Sequence, residues 1–116
     1  MDTVVLDKYK VSFLTKRLNG KLVKDMASLN ECFDQFITDY RGRNEAITLQ
    51  NAVLKVISGA EEKAIGISPT LLTAEITLEA TNIYEDPEYD SSSIPSFSIP
   101  TTDFKSILEA WIEYLK

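Results

Sequence analysis

The side chains best placed to do chemistry fall in one run, Tyr84-Glu85-Asp86-Pro87-Glu88-Tyr89-Asp90, followed by three serines. Asp86, Glu88, Asp90 and Ser92 alternate as the oxygen ligands of a calcium loop do. However, Ser91 stands where such a loop turns on glycine, and Phe97 where it closes on a bidentate glutamate. The run therefore suits an acidic surface better than a metal site. The chain contains no histidine, which removes the usual general base, the imidazole-dependent triads and the commonest metal ligand. Zinc would need one cysteine plus carboxylates, and no glycine-rich phosphate loop or Gly-x-Ser-x-Gly elbow occurs. No metal, cofactor or catalytic residue is implied, and the expectation is a protein that is not an enzyme. Glu75 and Glu79 share a strand face, where solvation is their ordinary role.

Tyrosine offers a large contact area at low entropic cost, and here it is flanked by carboxylates. Tyr84, Glu85, Asp86, Glu88, Tyr89 and Asp90 are accordingly the candidate partner-binding residues, and a basic protein surface the candidate partner. The charge distribution points the same way. Residues 1–24 carry six Lys or Arg against two Asp, a local +4, while residues 59–101 carry eight acids against Lys63, a local −7. The chain as a whole is at −6, which disfavours nucleic-acid binding because phosphate contacts need a basic surface. The ordinary alternatives are that the two regions attract each other within the fold, or that the charge only maintains solubility.

The elements that position this run are read from periodicity. Phe104, Ile107, Leu108, Trp111, Ile112 and Leu115 lie on one side of a helix, predicted over 103–115 after a short strand Ser96-Phe97-Ser98-Ile99 and a turn at Pro100. Leu29, Cys32, Phe33, Phe36, Ile37 and Tyr40 repeat that spacing over 28–41, with Ser28 and Glu31 spaced as a capping box and Gly42 free to end the helix left-handed. A third helix is predicted over 44–58, capped by Asn44 and ended by Gly59, with Arg41 and Arg43 at the corner as charge on a helix end or, less readily, a phosphate grip. Leu72, Ala74, Ile76, Leu78 and Ala80 alternate with Thr73, Glu75, Thr77, Glu79 and Thr81, which predicts one ten-residue strand with an apolar and a wet face. Residues 64–68 read as a further extended stretch. Tyr9, Val11 and Phe13 alternate ahead of Asn19-Gly20, the preferred centre of a type I′ hairpin, with Leu22-Val23 returning. The rival is a helix from Thr3 to Leu18, which the β-branched residues disfavour.

Together these give an α+β fold: an antiparallel sheet of three to four strands, three helices mainly on one face, and a carboxyl-terminal amphipathic helix. A chain of 116 residues has room for one domain, residues 1–116. No run of about 18 apolar residues could span a bilayer. Met1 is followed by Asp2 and Thr3 rather than by a leader pattern, and the lone Cys32 fits a reducing compartment, so the expected location is cytoplasmic. Cys32 itself falls on an apolar helix face as a small core residue.

The closing segment Ser-Ile-Pro-Thr-Thr-Asp-Phe-x-x-Ile-Leu-x-x-Trp, Ser98 to Trp111, in a small acidic α+β chain resembles immunity proteins of bacterial polymorphic and contact-dependent growth-inhibition toxin systems. The resemblance implies direct binding to a cognate toxin domain, often basic, whose active site acidic side chains cover. It carries over no individual residues. Two alternatives belong to other classes: a secretion chaperone for an effector, which would be dimeric with apolar grooves, and an acidic inhibitor that mimics nucleic acid. Sequence does not choose between monomer and homodimer.

Overall fold

The computed structural model describes residues 3–86 and 88–116. Met1 and Asp2, on which the expectation of no leader rests, and Pro87 of the acidic run lie outside them. The order is α1 (Thr3–Lys8), β1 (Ser12–Leu18), β2 (Lys21–Ala27), α2 (Glu31–Asp39), α3 (Arg43–Ile57), β3 (Lys63–Ile67), β4 (Thr73–Thr77), β5 (Ala80–Tyr84), β6 (Phe97–Pro100) and α4 (Thr101–Tyr114). The fold is α+β, as expected, but the strands form two sheets: the β1–β2 hairpin, and a four-stranded antiparallel sheet in the order β3-β4-β5-β6.

The amino-terminal region divides between its two readings. Thr3–Lys8 is helical, and Lys10, at φ 54°, ends the helix: Lys10 N–H donates to Asp7 O and Val11 N–H to Leu6 O. That paired pattern closes a helix on a left-handed residue. Tyr9 therefore belongs to a helix end, not to a strand, and is buried against α4. The hairpin forms beyond it around Asn19 and Gly20, both at positive φ, with Leu18 opposite Lys21. Glycine and asparagine tolerate that conformation, which is why this dipeptide sets the register.

The predicted ten-residue strand is instead two strands. It folds back at Leu78-Glu79, and Ile76 pairs with Thr81, Ala74 with Ile83. Thr77 supplies the turn chemistry that glycine or proline usually provides. Its hydroxyl donates to Ala80 O and accepts from Ala80 N–H. The reversal changes the parity, so Leu78 is exposed while Thr81 and Ile83 face the core. Thr81 is satisfied there by the hydroxyl of Thr101, 3.0 Å away.

The helix boundaries shift for local reasons. Asn30, not Ser28, caps α2 by accepting from Phe33 N–H, and Ser28 turns to Asp34 instead. Gly42 does not end α2 left-handed; at φ −72° it is the residue before α3, and Asn44 is already inside that helix. Gly59, at φ 85°, ends α3 as expected. One face of the larger sheet presents Gly66, Ala74, Ile76, Ile83 and Ile99 to the helices. Phe33, Phe36 and Ile37 of α2, Leu49 and Val53 of α3, and Phe104, Ile107, Leu108 and Trp111 of α4 complete this core. Trp111 is fully buried, stands against Phe13 of the hairpin, and donates from Nε1 to Tyr40 O at 2.9 Å. It thus ties α4 to the end of α2.

Candidate functional site

By strand register, the sheet face away from the helices carries Lys63, Ile65 and Ile67 on β3, Thr73, Glu75 and Thr77 on β4, Asn82 and Tyr84 on β5, and Ser98 on β6. The loop after β5 returns Tyr89 onto it. Tyr84 is the last residue of β5 and is buried, because the ring of Tyr89 stacks on it with centroids 4.1 Å apart and planes 6° from parallel. The Tyr89 hydroxyl donates to Glu75 Oε2 at 3.0 Å, and Lys63 Nζ lies 3.9 Å from the same oxygen. Burial, and then the bond to Glu75 and its charge, push the Tyr89 hydroxyl up to about 12. Tyr89 therefore stays a neutral donor at any physiological pH.

Two side-chain turns shape the rest of the loop. Asp86 accepts from Glu88 N–H at 2.8 Å, and Asp90 accepts from Ser92 N–H and hydroxyl at 2.9 and 2.6 Å. These bonds hold the Asp90 carboxyl below the usual carboxylate range, with Ser93 adding to the effect of Ser92. Ser96 N–H donates to Ile83 O at 2.8 Å and returns the chain to β6. At the base of the loop Cys32 is half-buried, so its thiol is pushed up by burial and by the Glu85 charge, against a bond with Ser96. It is no thiolate nucleophile in that setting.

The six residues singled out in sequence thus occupy one loop with two kinds of role. Tyr84 and Tyr89 face the sheet and hold the loop. Glu85, Asp86, Glu88 and Asp90 are exposed, and none has an ion-pair partner among the described residues.

The basic amino-terminal region does not neutralise them. Lys8 lies 3.5 Å from Asp103, Lys16 and Arg41 both pair with Asp25, and Lys24 donates to Tyr114 O at 2.8 Å. Arg41 is therefore committed to the hairpin and is no free phosphate grip, while Arg43 opens α3 on the surface. Among the described residues no group of three or more His, Cys, Asp or Glu could hold a metal ion. No helix is long and apolar enough to cross a membrane. Asp34, beside a polar hollow of about 340 Å³ between β2 and α2, is the one described carboxyl raised above its ordinary value, mainly by burial.

Sequence reasoning missed two participants. Glu75, assigned to solvent, receives the Tyr89 hydroxyl. Ile65 and Ile67, 48% and 56% exposed, form an apolar strip on the same sheet face. The alternation Lys63-Ala64-Ile65-Gly66-Ile67 carried that signal, since its small inward residues leave the isoleucines outward. Comparison of the chain with protein-family models, with curated proteins and with solved structures finds no match.

Proposed function

We propose that this chain is a protein-binding protein that neutralises a basic bacterial toxin domain by direct contact, in the manner of an immunity protein. The observation that carries the proposal is the loop itself: four exposed carboxylates that make no ion pair among the described residues, on a loop held in place by the Tyr84–Tyr89 stack. A loop ordered in advance lowers the entropic cost of binding, and uncompensated negative charge steers a basic partner and selects against acidic ones. The adjoining Ile65 and Ile67 supply the apolar centre that a charged rim needs. The toxin-directed role rests on the resemblance of the closing segment to immunity proteins.

The test is recovery of the tagged protein from its source cells, with native mass spectrometry of whatever accompanies it. A stoichiometric complex with a basic domain is the expected result. A homodimer carrying a loosely folded effector would assign the chaperone role instead. With the partner in hand, reversing Glu85, Asp86, Glu88 and Asp90 to Lys should leave the unfolding midpoint in place. It should weaken binding most at low ionic strength, where screening is least. Undiminished affinity at physiological salt would remove the loop from the interface.

A further inference from the structure

The free edge of β3 faces a groove that runs between this strand and α3. β3 pairs only with β4, and no described strand covers its other side. Ser68 N–H points to Leu72 O, across the β4 side of the turn. By the alternation of an antiparallel ladder, Ala64 and Gly66 also direct their backbone groups to β4, and Ile65 and Ile67 direct theirs outward. Among the described residues, Ile67 O alone meets a protein group there, the Tyr40 hydroxyl at 3.4 Å. The groove beside this edge encloses about 330 Å³ and is mainly apolar, at Leu49, Ala52, Ile65 and Gly66, with Thr48 and Glu45 also on its wall. It continues past Ile67 to an end where Asp39 and Glu45 are the charged residues and no Lys or Arg takes part.

We infer that β3 accepts an extended segment of a partner protein as a fifth strand, one with alternating apolar side chains and a Lys or Arg near the Ile67 end. Unpaired N–H and C=O groups provide the affinity of strand addition, and the pockets beside them provide the specificity. Charge selects the occupant. A second copy of this chain, paired antiparallel about Ile65, would set its Lys63 opposite Ile67 on the outer sheet face, away from the groove, and its Glu62 opposite Ser68 on the groove side, carboxylate toward Asp39 and Glu45. A basic segment meets that same end favourably. The site deepens the protein-binding role and rests on it for the natural partner, but its test needs no toxin.

Two acetylated synthetic peptides serve as probes, Lys-Val-Thr-Val-Thr-Val and the same peptide beginning with Glu, added to the intact protein during amide hydrogen exchange. The basic peptide should slow exchange at Ile65 and Ile67 by about tenfold or more, while Ala64 and Gly66, already paired, do not change. Ile65→Pro removes an outward N–H without breaking the ladder and should abolish the effect. Glu45→Gln should leave the fold intact and erase the preference for the basic over the acidic peptide. Unchanged exchange at Ile65 and Ile67 with millimolar basic peptide overturns the proposal. So does protection of those amides that rises with protein concentration alone, which would assign the edge to a second copy. Reversal of the loop charges leaves the peptide result unaltered, so failure of the edge and failure of the loop are told apart.

Discussion

Removing the Tyr89 ring should release the acidic loop without unfolding the domain. Two contacts are lost in Tyr89→Ala: the stack on Tyr84 and the hydroxyl bond to Glu75. An aromatic pair contributes about 0.5–1.5 kcal/mol beyond its area, and a hydrogen bond to a charged group about 1.5–3 kcal/mol. Glu75 is partly open to solvent, so the lower end of the second range applies, and local opening becomes easier by about 2–3 kcal/mol in total. Because about 1.4 kcal/mol is tenfold, exchange of the Glu88 and Ser92 amides should accelerate by about 30- to 150-fold. Tyr89→Phe keeps the stack and loses only the bond, so the gain should be about tenfold. Global stability should fall by no more than about the same 2–3 kcal/mol, because the unfolded chain holds neither contact and the ring lies outside the core. The bond also has a pH signature. The folded hydroxyl is raised to about 12 from an ordinary 10.0, so its stabilisation is complete below pH 10 and is lost as pH climbs toward 12. Tyrosinate absorbance should show late ionisation from both Tyr9 and Tyr89, and Tyr89→Phe should remove the Tyr89 share. If Glu88 and Ser92 exchange no faster in Tyr89→Ala, the aspartate turns alone order the loop, and the anchoring role of Tyr89 is wrong.

Two further outcomes test the frame that holds this face. Trp111→Ala should cost about 3–5 kcal/mol in a chemical-unfolding experiment, because it empties a fully buried ring site and strands the Tyr40 carbonyl; an unchanged midpoint would refute the tie between α4 and α2. Asp25 is held below its usual range by hydrogen bonds first from Lys16 and then from Arg41, so its contribution is present above about pH 4 and fades as pH falls through the depressed value. Asp25→Asn should therefore lower stability at pH 7 and flatten the acid limb of the stability curve, as measured by urea midpoints at pH 7 and pH 3.

Much of the fold was legible because its signals were periodic. The stripes of α2 and α4 named nearly every core residue those helices contribute, and Asn19-Gly20 placed the first hairpin. Two of the failures share a physical cause: a residue other than glycine or proline makes the break in the chain. Thr77 closes a tight turn with its own hydroxyl, so ten alternating residues looked like one strand. Lys10 adopts a left-handed conformation, so a helix and a strand abut where no glycine marks the break. In the acidic run the residue types were visible, but their division into anchors and exposed charges was not. That division depends on Glu75, which lies on another strand.

The charge asymmetry becomes intelligible once the pairs are laid out. The positive region spends Lys8, Lys16 and Lys24 inside its own end of the molecule, on Asp103, on Asp25 and on the carbonyls that close α4. Of the acidic segment's groups, Glu75 alone among the described residues makes an ion pair, with Lys63, and it also receives Tyr89. Mutual attraction between the two regions is thus not what the charges are for in the folded chain. Four like charges on one short loop repel each other, and a loop left free would spread them apart. The stacked tyrosines oppose that spreading and keep the negative field concentrated at one border of an open sheet face. The same face presents Ile65 and Ile67 beside an unpaired strand edge. Apolar contact, backbone pairing and a fixed acidic rim therefore converge within one surface, which is the combination that an exposed protein-recognition site requires and that solubility alone does not.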